Sequence, residues 1–326
     1  MGFWADKKVL VTGGGGFIGS HLVERLLEHG AKVRVAGRSE KPHNLISCFE
    51  EINYVRADLS RMRNCLKVIR GMDVVFHLAS KVAGIEYNFS HPAEMFKANT
   101  SLNLTMLEAS RIEHVERYLC TSSTCVYPRY CKVPTLETDG FKDDPEPTVL
   151  GYGWAKRIAE LQARLYTMEY GMRIAIIRPT NAYGPRDDFS PETSHVIPSL
   201  LKKVYESNDV ITVWGSGNQT RSFIYVEDLA RAMIDVIEKN AIADPINIGT
   251  EEEIAIKDLA NLIIKLSGKD RLVKFDLSKP EGQPRKFADI AKAKGKINWR
   301  PNFTLKEGLK KTIEWYNSQY LHKCSS

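Results

Sequence analysis

The stretch VLVTGGGGFIGSHLVERLL, residues 9–27, constrains the fold more than any other part of this 326-residue chain. A β-branched run enters it and an apolar pattern of helical spacing leaves it, so the glycines fall at a strand-to-helix turn. Glycines allow a tight turn and a close approach of ligand to backbone, and the start of the following helix offers free N–H groups and a positive dipole end. Those are the requirements for seating a pyrophosphate, and Gly13, Gly16, Phe17, Ile18 and Gly19 are expected to bind a dinucleotide.

The rest of the first half repeats the rhythm. KVRVAG, DVVFHLA, ERYLCTSS and RIAIIRP are short, apolar throughout and separated by helical patterns. Strands of that kind form a parallel sheet covered on both faces, which predicts a Rossmann-type doubly wound α/β fold. Past about residue 180 the rhythm changes to Pro- and Gly-rich segments between helices. Residues 1–180 are therefore assigned to the dinucleotide domain, with a later segment near 220–250 returning to it, and residues 181–326 mainly to a smaller, interleaved substrate domain.

With 43% hydrophobic and 26% charged residues the chain reads as an ordinary globular protein. Its net charge of +6 is spread among acids rather than gathered on one stripe, which argues against nucleic acid as a partner and for an anionic small molecule. Cysteines 48, 65, 120, 125, 131 and 324 show no CxxC spacing, and thiols in a reducing compartment are expected. There is no run of ~18 apolar residues, no cleavable leader pattern and no myristoylation signal, so a cytoplasmic protein without membrane contact is expected. No metal site is expected.

The end of the second strand decides which dinucleotide binds, because a carboxylate there meets a ribose 2′-hydroxyl and a cation meets a 2′-phosphate. Here it reads Gly37, Arg38, Ser39, with no acid, which favours NADP(H) over NAD(H). Asp58, followed by Leu59 after the third strand, is placed to meet the adenine or to cap the next helix.

In GYGWAKR, Tyr152 and Lys156 stand four apart, on one helical face. A lysine cation beside a phenol is expected to lower its pKa and fit it for acid–base work. With Ser123 this set resembles the Ser/Tyr/Lys arrangement of the extended short-chain dehydrogenase/reductase superfamily in its sugar-nucleotide form. That resemblance places Leu78, Ala79, Lys81, Asn99, Lys156, Pro179 and His195 on the cofactor side.

ASKVAGI, SSTCVYP, PTNAYGP, SHVIPSLL, WGSGNQTRSFIYVEDLA and SKPEGQPRK sharpen the likeness, for they are similar in order and spacing to the GDP-L-fucose synthase family. The resemblance implies 3,5-epimerisation and 4-reduction of a GDP-4-keto-6-deoxyhexose with NADPH. It implies Cys125 and His195 as the epimerisation pair and Ser123, Tyr152 and Lys156 as the reduction set. Ser123, Cys125, Asn181, Lys203, Trp214, Arg221 and Arg285 or Lys286 would hold the GDP-sugar. The all-glycine turn departs from that family, and some stretches resemble GDP-mannose 3,5-epimerase instead. A C4-only reductase or dehydrogenase acting on another GDP-hexose or GDP-heptose, and a non-catalytic dinucleotide-binding regulator, stand as alternatives. Apolar helical patterns in NTSLNLTMLEASR and GWAKRIAELQARLYTM predict a homodimer paired through those helices.

Overall fold

The computed structural model describes residues 2–191, 193–279 and 282–321; Cys324 lies outside them. The first half supplies strands β1 (Lys8–Thr12), β2 (Lys32–Gly37), β3 (Asn53–Arg56), β4 (Val74–His77), β5 (Arg117–Thr121) and β6 (Ile174–Pro179). Helices α1 (Phe17–Glu28), α2 (Met62–Ile69), α3 (Ile85–Ser90), α4 (Pro92–Ile112) and α5 (Leu150–Tyr170) run between them. The second half adds β7 (Asn181–Tyr183), β8 (Val210–Trp214), β9 (Thr220–Arg221), β10 (Phe223–Tyr225), β11 (Pro245–Ile248), β12 (Ile254–Ala255), β13 (Leu272–Asp276) and β14 (Arg285–Lys286). Its helices are α6 (Val196–Glu206), α7 (Val226–Lys239), α8 (Ile256–Leu266), α9 (Ala291–Ile297) and α10 (Leu305–Tyr316).

The main sheet has seven strands in the order β11-β6-β5-β4-β1-β2-β3, and each neighbouring pair is parallel. The alternation along β1 shows why both faces are covered. Val9 and Val11 join the cluster under α1 and α7, whereas Leu10 joins the cluster under α2, α4 and α5. Winding reverses between β1 and β4, so a crevice opens beyond their carboxyl ends. Residues of α7 and β11, and α9 with Trp299, pack into the same core as β1 and α1. A second core gathers Tyr183, Leu200, Val213, Tyr225, Leu259 and Ile313 from the smaller pairings β7/β10 and β8/β13 and from the helices beside them. Among the described residues no helix is long and apolar enough to cross a membrane.

Beneath the crevice lies a buried polar knot. The Arg178 guanidinium grips both carboxylate oxygens of Glu160 at 2.8 and 2.6 Å, with the two side chains 1% and 0% exposed. Its remaining nitrogen reaches the Tyr127 hydroxyl at 3.0 Å and the Glu137 carbonyl at 2.7 Å. Ser122 donates to Glu160, and Tyr127 donates to Asn247 at 2.5 Å. The knot therefore ties α5, β6, the turn after β5 and β11 together.

Removing one partner of a buried pair costs far more than replacing both, because the survivor keeps an uncompensated charge. Arg178→Met is expected to destabilise the protein by about 3–5 kcal/mol. The double replacement Arg178→Met with Glu160→Gln should recover much of that loss. Urea unfolding of the two variants measures the difference; equal losses would show that the charge pair is not what the knot depends on.

Candidate active site

The crevice is a cleft of about 1340 Å³ that runs from the glycine turn, past the ends of β1, β4 and β5, to α6 and β9. At one end each glycine has its own reason. Gly13 has φ +69, in the left-handed region. A Cβ on Gly19 would stand 2.3 Å from the Gly13 carbonyl oxygen, so helix and turn could not close. A Cβ on Gly16 would meet nothing nearer than 3.3 Å, and Gly16 caps α1 without any side-chain hydrogen bond, which leaves the first-turn amides for an anion. These features fit a dinucleotide pyrophosphate. Phe17, Ile18, Asp58, Leu59, Leu78, Ala79, Lys81 and Pro179 line the same stretch.

Arg38 is exposed at the cleft wall beyond β2. Lys41, His43 and Asn44 line that end too, and the Asn44 amide donates to the Gly15 carbonyl at 3.3 Å. The sequence reading did not single out this segment, because nothing local shows that it folds back over the glycine turn. Asp58 accepts from the amide and hydroxyl of Ser60 at 3.1 and 2.8 Å, so it caps a turn while lining the cleft.

Asn99 does not line the cleft. It is 1% exposed and uses its amide to hold the 80–81 backbone: Ser80 Oγ and Lys81 N–H donate to its oxygen, and its nitrogen donates to the Lys81 and Met95 carbonyls. Its part is support of the loop rather than direct contact.

In the middle of the cleft lie Ser123, Cys125, Tyr152 and Lys156. The turn after β5 places the first two; Ser123 Oγ accepts from the Cys125 amide at 3.1 Å. α5 carries the second two, and Gly153 between them lets the helix approach the Cys125 carbonyl, which a Cβ would meet at 2.5 Å. The electrostatics differ from the expectation. Lys156 Nζ donates to the Thr121 carbonyl at 2.8 Å and sits 5.3 Å from the Tyr152 ring centroid. The Tyr152 pKa is raised, first by burial and then by Cys125, with the Ser80 hydroxyl opposing. So the phenol is held protonated, as a proton donor. Burial also pulls the Lys156 ammonium down to about 8.

Cys125 stands apart from the other described cysteines. Lys286 Nζ donates to its sulfur at 3.4 Å. Cys65 and Cys120 are buried, their thiols pushed up to about 12 by desolvation, and Cys48 is buried as well. Cys131 contacts the Thr135 hydroxyl at 3.3 Å. None of the described cysteines is in a disulfide.

At the far end stand Asn181, His195, Lys203, Trp214, Arg221 and Lys286. Trp214 is half-buried, with Lys203 Nζ 5.8 Å and Lys279 Nζ 5.0 Å from its ring. Arg221 donates to the carbonyls of Thr220 and Gln283, both at 2.8 Å. Arg285 corrects the expectation: it is outside this cleft and is bound bidentately to Glu253 at 2.7 Å, because adjacent residues of β14 point to opposite sides. Lys286 is the one of the pair that faces the cleft. The sequence reading missed Asp187, whose buried carboxylate lies 3.8 Å from His195 Nδ1. It also missed Glu146, a buried carboxylate that lines the cleft and binds Arg129 at 2.7 Å.

Residues 9–249 match the model of the NAD dependent epimerase/dehydratase family. A dTDP-4-dehydro-6-deoxy-D-allose reductase from Streptomyces sp is 32% identical, covering 98% of this chain and 98% of that protein. A probable GDP-L-fucose synthase 1 from Oryza sativa subsp. japonica is 33% identical, covering 96% and 94%. The crystal structure of a UDP-glucose 4-epimerase from Thermotoga maritima superposes with a TM-score of 0.85 at 30% identity, covering 95% of this chain and 99% of that one. With a glycine turn fitted to a pyrophosphate and Tyr152, Lys156 and Ser123 along one wall, the chain belongs to the NAD dependent epimerase/dehydratase family, as a nucleotide-sugar epimerase/reductase type of enzyme that works with a nicotinamide dinucleotide.

Proposed function

We propose that the protein is a 3,5-epimerase/4-reductase that converts GDP-4-keto-6-deoxy-D-mannose, or a close analogue, to GDP-L-fucose or its counterpart with NADPH. The observation that carries this reading is that Cys125 and His195 line the same cleft as Tyr152 and Lys156. Protons at C3 and C5 are both α to the C4 carbonyl. Cys125, with Lys286 beside its sulfur, takes a proton, and His195 returns one to invert the centre. Tyr152 and Ser123 hold the C4 oxygen while its charge develops. NADPH supplies the hydride to C4. Tyr152, kept protonated by burial, then gives its proton to that oxygen. Lys203, Trp214 and Arg221 are assigned to the nucleotide and its phosphates.

A second reading is a C4 reductase without epimerisation. The Streptomyces relative, by name a reductase of a dTDP-4-dehydro sugar, favours it.

The two readings separate by proton NMR in deuterium oxide with a 4-keto-6-deoxy GDP-sugar. Without NADPH the wild type is expected to exchange the C3 and C5 protons, and Cys125→Ser to lose that exchange while still binding cofactor. Tyr152→Phe should slow exchange in part, with Ser123 still holding the C4 oxygen, and slow hydride transfer by ~10²-fold or more. Reduction at C4 with no deuterium at C3 or C5 establishes the second reading.

Cofactor choice is assigned to the cationic wall at Arg38. Arg38→Ala is expected to raise the KM for NADPH by roughly 10-fold or more, the worth of a charge-assisted contact, and to leave that for NADH nearly unchanged. Better use of NADH by the wild type would reverse the assignment.

A homodimer is proposed through α4 and α5. Leu104 on α4 and Trp154, Leu161, Leu165 and Met168 on α5 are 37–82% exposed, an apolar stripe that the other described residues leave uncovered. Light scattering should give roughly twice the chain mass of 36.9 kDa, and Leu165→Glu should give the single-chain mass. A wild-type monomer at micromolar concentration would contradict it.

A further inference from the structure

His195 sits in a place that by itself favours a neutral imidazole. It is the N-cap of α6, where the positive end of the helix dipole opposes a cation. Lys286, across the cleft, adds like charge. An imidazole that must give a proton to a sugar carbon needs the reverse.

The loop between β7 and α6 supplies it. Gly184, at φ +153, turns tightly where a Cβ would stand 2.6 Å from Val226, and Arg186 takes the left-handed φ of +71. Two contacts pin the loop to α1: His21 Nε2 with the Pro185 carbonyl at 3.0 Å, and Arg186 with Glu24 at 2.8 Å. Asp187 is thereby turned inward, its side chain 3% exposed, with Oδ1 3.8 Å from His195 Nδ1. Oδ1 also accepts from the Asp188 amide at 2.8 Å, whereas Oδ2 is buried without a hydrogen-bond partner. A buried carboxylate with one oxygen unpaired is costly, and the half-exposed imidazole, 3.8 Å from Oδ1, is placed to offset its charge.

We propose that Asp187 is a positioning residue that orients His195 and holds it in the proton-donating imidazolium form over the sugar subsite. The proposal rests on the reading of His195 as the epimerisation acid. The charges facing His195 agree with it: burial pulls the imidazolium down, Asp187 and then Asp188 push it up, Lys286 opposes them, and the net displacement is upward. Asp187 is itself pushed up by burial and held back by His195, as expected of a coupled pair. Because the ring's pKa is raised, His195 stays charged to higher pH than a free histidine. Without the carboxylate it would become neutral at lower pH and lose its proton before it could deliver it.

The test joins an NMR titration of His195 to deuterium exchange in the intact protein. In the wild type His195 should titrate above free histidine, and in Asp187→Asn, which preserves side-chain volume, below the wild type. The alkaline limb of the exchange rate should move to lower pH. At pH 8 kcat for epimerisation should fall roughly 10-fold or more, with KM nearly constant. In a His195→Asn background, Asp187→Asn should have no further effect on exchange. An unchanged His195 titration in Asp187→Asn overturns the proposal, as does an additive effect in the double variant. If Asp187→Asn does not fold, a wild-type His195 titrating at or below free histidine overturns it, and one titrating above supports it. Wild-type enzyme that shows no exchange at C3 or C5 refutes the epimerase reading, while the titration still decides whether Asp187 controls the ring.

Discussion

The cleft depends on the ion pair between Glu160 and Arg178. Glu160 lies one helical turn beyond Lys156 on α5, and Arg178 is the residue before Pro179 at the end of β6. Since Ser122 donates to the same carboxylate, the pair fixes the turn carrying Ser123 and Cys125 against the helix carrying Tyr152 and Lys156. An apolar contact at this point would hold the layers together without fixing a rotation. A bidentate guanidinium–carboxylate pair fixes direction as well as distance. Gly140 belongs to the same arrangement, because a Cβ there would fall 2.6 Å from the guanidinium.

From that frame the cleft divides by charge. Its cofactor end is made of backbone: glycine carbonyl contacts, unsatisfied helix amides, and a cationic wall from Arg38 and Lys41. Its other end is made of side chains, each with its own close neighbour. Desolvation holds Tyr152 protonated, Lys286 stands at the Cys125 sulfur, and Asp187 stands at His195.

What the sequence disclosed follows the range of the signal. The glycine turn, the alternating strands and the Tyr152–Lys156 pair are local patterns, and the parallel sheet with its switch-point crevice could be read from them. Cys125 and His195 are seventy residues apart and joined by no local rule, so only the family resemblance connected them. Asp187 carries no signal at all. In PRDDFS nothing distinguishes the buried carboxylate from its neighbour Asp188, since the difference arises from two unusual backbone angles and a contact with α1. Arg285 and Lys286 were inseparable for the opposite reason: strand alternation sends one of any adjacent pair away, and which one depends on register with β9.

The misread phenol shows where reasoning from residue type fails. A lysine four residues from a tyrosine on a helix was expected to lower the phenol's pKa, and spacing alone supports that. The Lys156 ammonium, however, is directed at the Thr121 carbonyl, and desolvation governs both groups, raising Tyr152 and lowering Lys156. The two shifts bring the proton-donating phenol and the cation into the same dry space, where a charge forming on a substrate oxygen would be little screened by water. Electrostatic stabilisation is strongest under that condition.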